Sequence, residues 1–355
     1  MKNIIKLGKY SIGENQPPFL IAEMSGNHNN SLEKALQIVD AAADAGAHAL
    51  KIQTYTPDTM TLNISDGDFL ISDKKSPWYG QTLYELYKIA MTPYEWHKPI
   101  FDRCKERGLI FLSTPFDETA VDFLEQFDPP IYKIASFENT DVNLIKKVAS
   151  TGKPIIISTG MSTLPDLHDM IQAAKEGGAK EIILLKCTSA YPSDARHANI
   201  RTIPHLAEMF NVNVGLSDHT LGLGVAVASI VLGACVVEKH FTISRAEGGV
   251  DSAFSLEPAE FKQLVTECER AYNSLGTVTY TPTLNEQGSK IFRRSIYITK
   301  DIKKGEKLSL DSIRCIRPGY GLPPKYFNQM LGRTVNRDIK VGTPMQMDFI
   351  LNKNE

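Results

Sequence analysis

Residues 19–55 read FLIAEMSGNHNNSLEKALQIVDAAADAGAHALKIQTY, and they hold a strand, a helix and a second strand in that order. FLIAEMS from Phe19 and ALKIQTY from Ala49 are apolar nearly throughout, as parallel strands covered by helices must be. Between them SLEKALQIVDAAADAG has helical period, opens on Ser31 with Lys three residues on, and stops at Gly46. The same alternation continues downstream. Strand candidates follow at LIFLSTPF from Leu109, IYKIAS from Ile131, PIIISTG from Pro154, EIILLKCT from Glu181, NVGLSDHT from Asn213 and ACVVEKHFT from Ala234. PYEWHKPIFDRCKERG and LPDLHDMIQAAKEGG are helical segments that end on glycines. Eight strands alternating with helices over about 260 residues predict a closed (β/α)8 TIM barrel. An open doubly wound sheet is the rival, but no GxGxxG follows any strand.

The segment from Pro57 to Thr92 is too long for a routine loop and carries Trp78, Tyr79, Tyr84 and Tyr87. It is expected to form a hairpin or short helix over the barrel mouth. After Leu275 the texture changes. TVTYTPTLNEQGSK is polar and reads as a linker; from Phe292 onward short strands and tight turns are expected, with DIKKGEKLSLD echoed by DIKVGTPMQMD. The predicted organisation is therefore a barrel domain over residues 1–276, a linker over 277–291 and a small β-rich domain over 292–355.

Composition narrows the function. The chain has 355 residues, 42% of them hydrophobic, and a formal charge of −2, so nothing favours nucleic acid or an anionic membrane as partner. No signal-peptide core or membrane-spanning run is read. Five scattered cysteines form neither a CxxC pair nor a disulfide framework, which fits a reducing cytoplasm.

In a parallel barrel the chemistry gathers at the carboxyl ends of the strands. Those ends hold Glu23, with Asn27 and His28 after it, then Lys51, Gln53, Thr114, Lys133, Ser136, Ser189, Tyr191, Ser217, His219, Glu238 and His240. Lys51 and Gln53, Ser217 and His219, and Glu238 and His240 are two apart, so each pair faces one way. Two lysines, two histidines and two glutamates at one rim call for an anionic substrate and a metal, because a buried ionisable group must be paired or liganded. His219 and His240, on adjacent strands, are the metal candidates. Two imidazoles without a third strong ligand suit an open, roughly octahedral ion: Mn²⁺ first, with Mg²⁺ or Co²⁺ as alternatives. His48, His97, His168, His197 and His205 fall in helical or loop contexts and take no role.

With AEMSGNHN, LKIQTY, STPFD, YKIAS, CTSAYP, GLSDHT, EKHFT and IRPGYG in order, the chain resembles the sialic acid synthase family over nearly its whole length. QTLYELYKIAMTP and DSAFSLEP resemble its pseudaminic acid branch. The resemblance implies a phosphoenolpyruvate-binding barrel followed by an antifreeze-like (SAF) domain, in a domain-swapped homodimer. It implies that Lys51, Thr114, Lys133, Ser136, Ser189 and Ser217 hold phosphoenolpyruvate. His219 and His240 would bind the divalent ion, and Glu23 would be the acid or base beside the reacting carbons. Gln53, Tyr191, Glu238 and Asp251 would meet an amino-sugar aldehyde; Phe292 and Arg294 would lie in the closing segment; Arg317 would reach from the partner's small domain to an N-acetyl group. The expected reaction is phosphoenolpyruvate plus 2,4-diacetamido-2,4,6-trideoxy-L-altropyranose giving pseudaminic acid and phosphate. N-acetylneuraminate and legionaminate synthases are the alternatives within the family. Outside it stand a Schiff-base aldolase using Lys133 or Lys239 and a non-catalytic glycan- or ice-binding protein.

Overall fold

The computed structural model describes residues 3–74, 76 and 78–351. The chain divides into two units, Met1–Gly276 and Thr277–Glu355. In the first, a hairpin of β1 (Ile5–Leu7) and β2 (Tyr10–Ile12) precedes eight parallel strands. These are β3 (Phe19–Glu23), β4 (Ala49–Thr54), β5 (Ile110–Pro115), β6 (Tyr132–Ile134), β7 (Ile155–Ser158), β8 (Ile182–Cys187), β9 (Asn213–Asp218) and β10 (Val236–His240). Their ladder order is β5-β4-β3-β10-β9-β8-β7-β6, and β5 and β6 pack side by side, which closes the ring. All eight predicted strands are present.

Alternation along the strands makes two cores. Outward residues such as Leu20, Leu50, Ile134, Ile157, Leu184 and Val237 pack under the surrounding helices. Inward residues of the strands' first halves, among them Phe19, Ile21, Leu112, Ile156, Ile183 and Val236, pack with Ile5, Leu7 and Ile12 of the hairpin. The hairpin thus plugs the amino-terminal end of the barrel, and only the opposite end is left polar inside. Helix Leu32–Asp44 starts where Ser31 accepts a hydrogen bond from the Lys34 amide at 3.3 Å. The 57–92 insertion holds two helices: Pro57–Met60 and Leu83–Ala90 flank an irregular stretch tied by the Leu70–Thr82 bridge, with a Thr82–Glu85 capping box opening the second helix.

The second unit has its own core of Ile296, Ile298, Ile302, Leu308, Ile313, Val335, Ile339 and Met345. Strands β11 (Ser295–Ile298) and β12 (Ile313–Ile316) pair antiparallel. The two echoed phrases are not full strands. They meet at an isolated Ile302–Ile339 bridge, flanked by Asp301–Lys340 at 2.7 Å and Lys303–Asp338 at 2.9 Å. Each then turns at a glycine with positive φ, Gly305 and Gly342. The repeat is therefore a local two-fold pairing. The segment read as linker contains the short helix Leu284–Gln287 and the 3-10 turn Gly288–Phe292.

Candidate active site

The polar mouth of the barrel is a connected network. Lys51 is 2.7 Å from Glu23 and 3.6 Å from Glu238, and it donates to Thr114 Oγ1 at 3.2 Å. Lys133 and Ser217 reach Glu238 Oε1 at 3.4 and 3.3 Å. Gln53 Nε2 donates to Glu23 Oε1 and to Ser25 Oγ, both at 3.0 Å, and Ser25 in turn bonds Asp251. The two lysines and two glutamates are almost wholly buried. Burial, reinforced by the charge of Glu238, raises the Glu23 carboxyl against the pull of Lys51. Burial lowers the Lys133 ammonium despite Glu238. Both lysines thus have carboxylate partners within the barrel, the pairing that a buried ionisable group requires.

His219 and His240 come together, with ring centroids 5.3 Å apart. Tyr191 lies 4.4 Å from the His219 ring and 6.2 Å from that of His240. Phe254 packs on Tyr191 at 5.3 Å and on His240 at 5.0 Å. The His219 Nδ1 is 3.0 Å from the Thr188 carbonyl. A carbonyl only accepts, so that nitrogen carries the proton and Nε2 keeps its lone pair free. The His240 Nδ1 is buried without a hydrogen-bond partner, 3.6 Å from Asp251. Burial, then the neighbouring cations, holds His240 well below the usual imidazole range. Against the effect of burial, the hydrogen bond and charge of Cys187 raise the His219 imidazole, and the charge of His219 is the first among those that depress His240. A divalent ion would take the place of that proton, bound by the open lone pairs of the two rings. Among the described residues no group of three or more His, Cys, Asp or Glu is arranged to hold a metal, so an ion here would complete its shell from water and substrate.

Three features of the mouth escaped the strand-end reading. The first is Gly160, two residues past the end of β7. Its amide donates to Ser136 Oγ at 3.2 Å, and a Cβ there would fall 2.1 Å from Ser189 Oγ and 2.6 Å from Ser136 Oγ. Ser136, Gly160 and Ser189 therefore form one cradle, pinned by Asn139, whose amide reaches the carbonyls of Ser158 at 3.1 Å and Gly160 at 3.0 Å. The signal was present as Ser-Thr-Gly at the end of the fifth barrel strand. The second is Glu138, which burial pushes up to about 7. The third is Ser25. Glu138 and Ser25 line a cavity of about 370 Å³ beside the network, with Gln53, Ser189, Tyr191 and Asp251. Its apolar wall comes largely from the 57–92 insertion: Met60, Trp78, Leu86 and Tyr87, with Tyr55 and Phe116 behind. The Trp78 Nε1 donates to the Val250 carbonyl at 3.1 Å and fastens the insertion to the loop after β10.

Asn27 does not face the mouth. It spans to the Phe241 carbonyl at 3.0 Å and Ser255 at 2.9 Å. Lys239 points outward, paired with Asp218 at 2.8 Å, so the Schiff-base reading loses that lysine. Phe292, Arg294 and Arg317 belong to the second unit and are exposed there.

Residues 38–280 match the NeuB family and residues 293–351 the SAF domain. The chain belongs to the NeuB family. Among NeuB-family relatives, the pseudaminic acid synthase of Campylobacter jejuni is 44% identical over 93% of this chain and 96% of its own length. That of Helicobacter pylori is 40% identical over 94% of this chain and 98% of its own. In structure, the chain is similar to the N-acetylneuraminic acid synthetase of Leptospira borgpetersenii, solved with citrate. The TM-score is 0.72 and the identity 31%, over 81% of this chain and 95% of that one. The NeuB-family match spans the strand ends from Lys51 to His240, and Glu23 and Ser25 lie ahead of it.

Proposed function

We propose that this chain is a pseudaminic acid synthase. It condenses phosphoenolpyruvate with 2,4-diacetamido-2,4,6-trideoxy-L-altropyranose, in its open aldehyde form, and releases pseudaminic acid and phosphate. The observation that carries the reading is the contiguity of two subsites at one barrel mouth. One is the lysine- and serine-rich cradle of Lys51, Thr114, Lys133, Ser136, Gly160, Ser189 and Ser217; the other is a cavity of about 370 Å³ with a polar floor and an apolar wall. The likeness to the Campylobacter and Helicobacter synthases supports it.

Phosphoenolpyruvate would lie in the cradle, its phosphate and carboxylate taking hydrogen bonds from the lysines and hydroxyls. C3 of its enol attacks the sugar aldehyde, water adds at C2, and the C2–O bond to phosphate breaks, so one water is consumed and one phosphate released. Lys51 and Lys133 hold the two anionic groups in place. Glu23, hydrogen-bonded to Gln53 and ion-paired to Lys51, holds or takes the proton at the reacting carbons. Gln53, Tyr191, Glu238 and Asp251 orient the sugar, and Trp78 with Leu86 and Tyr87 excludes bulk water. His219 and His240 would hold the divalent ion, Mn²⁺ before Mg²⁺ or Co²⁺, and when bound it polarises the aldehyde oxygen. From the resemblance of IRPGYG, Arg317 of a second copy, with Phe292 and Arg294 in the closing segment, completes the sugar site in a domain-swapped homodimer. Five cysteines that form no disulfide support a cytoplasmic setting.

A 6-deoxy sugar presents a methyl where N-acetylmannosamine presents a hydroxyl. The apolar wall of Trp78, Leu86 and Tyr87 favours the methyl and leaves the hydroxyl unpartnered, on the order of a hundredfold in kcat/KM. The test is phosphate release with the altrose, N-acetylmannosamine and the legionaminate precursor in parallel. Equal kcat/KM values, or a preference for N-acetylmannosamine, would reassign the substrate.

A further inference from the structure

The strand ends that carry His219 and His240 also carry a buried ion pair that the chemistry above leaves without a task. Ser217, His219, Glu238 and His240 face the barrel interior, so Asp218 and Lys239 between them face outward, into the layer under the helices. Elsewhere that layer is built from Leu20, Leu50, Ile134, Ile157, Leu184 and Leu216. Asp218 and Lys239 lie opposite each other in the β9–β10 ladder, and theirs is its last pair. Lys239 Nζ is 2.8 Å from Asp218 Oδ2 and 2.6 Å from the Thr220 carbonyl. Asp218 Oδ1 accepts from the Thr220 amide at 2.9 Å and from its hydroxyl at 2.8 Å. Side-chain exposure is 1% for Lys239 and 2% for Asp218.

Such a pair is a poor way to gain stability, because the cost of desolvating both charges consumes most of their attraction. Its geometry suits another role. His219 is the first residue beyond β9, where the β9–β10 ladder no longer fixes the backbone. The residue after it, Thr220, is stitched through Asp218 and Lys239 to the residue just before His240. We propose that Asp218 and Lys239 are positioning residues: an outward clamp that sets the spacing of the two imidazoles on the inner face. The proposal rests on the reading of His219 and His240 as metal ligands. It differs from a hydrogen bond to the ligand ring, because it acts through the backbone on both ligands together.

The test uses the full chain, with Mn²⁺ binding followed by electron paramagnetic resonance in the absence of substrate. An Asp218→Asn/Lys239→Met double variant removes both charges together. Thr220→Val is nearly isosteric, keeps every charge and the amide bond, and loses only the hydroxyl's bond to Asp218. The double variant should bind Mn²⁺ about 10- to 100-fold more weakly, the usual loss when support behind metal ligands is removed, and Thr220→Val at least threefold more weakly. The KM for phosphoenolpyruvate should not move. A folded variant of either kind that binds Mn²⁺ within twofold of the unaltered protein overturns the clamp; should the double variant fail to fold, Thr220→Val decides. If the unaltered protein binds no Mn²⁺ and no other divalent ion, the metal reading fails instead. The clamp is then judged on the ¹³C-labelled ring signals of His219 and His240 in the metal-free chain. They must shift or broaden in Thr220→Val, and unchanged signals overturn it.

Discussion

Gly160→Ala should damage phosphoenolpyruvate binding and leave the sugar alone. The new methyl would stand 2.1 Å from Ser189 Oγ, 2.6 Å from Ser136 Oγ and 2.9 Å from Ser136 Cβ. The Ser189 hydroxyl can rotate away, but the Ser136 Cβ cannot, so β7 and the loop after β6 must part by several tenths of an ångström. Overpacking of this kind costs about 1–3 kcal/mol of stability, which a domain of this size survives. The cradle does not survive it, because both hydroxyls are pushed from the place where an anion would meet them. A hydrogen bond to a charged group is worth about 1.5–3 kcal/mol. Losing one therefore raises the KM for phosphoenolpyruvate about tenfold or more, and losing both raises it at least a hundredfold. The assay is initial-rate phosphate release with phosphoenolpyruvate varied at saturating sugar, then the reverse, with thermal unfolding as the check on folding. A folded Gly160→Ala protein with an unchanged KM for phosphoenolpyruvate would refute the assignment of Ser136, Gly160 and Ser189 to that substrate.

Chelation with EDTA should abolish turnover, Mn²⁺ should restore it best, and His219→Ala or His240→Ala should each be folded and inactive; full activity in metal-free protein would end the metal reading. Arg317→Ala should raise the KM for the sugar far more than that for phosphoenolpyruvate, since one substrate alone loses a contact; equal changes in both would exclude the lid role, as would normal turnover by residues 1–285. Glu138 ordinarily titrates at 4.5 and is pushed up to about 7 in the folded chain, so between those values the folded state holds a proton that the unfolded state has lost. Stability should therefore fall as pH rises from 4.5 to 7, by up to about 3 kcal/mol from this group. Glu138→Gln should flatten that slope in urea unfolding at pH 5 and 7.5, and an unchanged slope would show that Glu138 is not the group responsible.

The barrel was legible because its strands are buried on both faces and read as unbroken apolar runs. Reading only the carboxyl ends of those strands picked out Glu23, Lys51, Thr114, Lys133, Ser217 and Glu238, and the i, i+2 spacing put Lys51 with Gln53, Ser217 with His219 and Glu238 with His240 on one face. The same rule could have dismissed Lys239 as a Schiff-base lysine: if Glu238 and His240 face in, Lys239 faces out. The amino-terminal hairpin was missed because three-residue strands such as Ile5–Leu7 and Tyr10–Ile12 are too short to show a period. Gly160 was missed for another reason. Its need is steric, set by Ser136 and Ser189 from two other strand ends, and no local pattern carries that information.

That the inward lysines would be paired or liganded followed from their burial, but which carboxylates they meet did not, and those partners change what the charges mean. Two inward lysines suggested an anion as their counter-charge, yet Lys51 already faces Glu23 at 2.7 Å and Lys133 faces Glu238 at 3.4 Å. The lysines are compensated from within, so an anion at this mouth would exchange with carboxylates rather than meet uncompensated positive charge. Only one oxygen of Glu238 is engaged by Lys133 and Ser217; the other is buried without a hydrogen-bond partner. A lysine that turns from Glu238 toward an anion frees a carboxylate next to the cavity, where a sugar hydroxyl or amide N–H can bond it. Compensation of this kind ties the two subsites together: anion binding in the cradle prepares an acceptor for the sugar. It is also why Lys51, Lys133 and Glu238 can be almost fully buried, at a depth where isolated charges would not be tolerated.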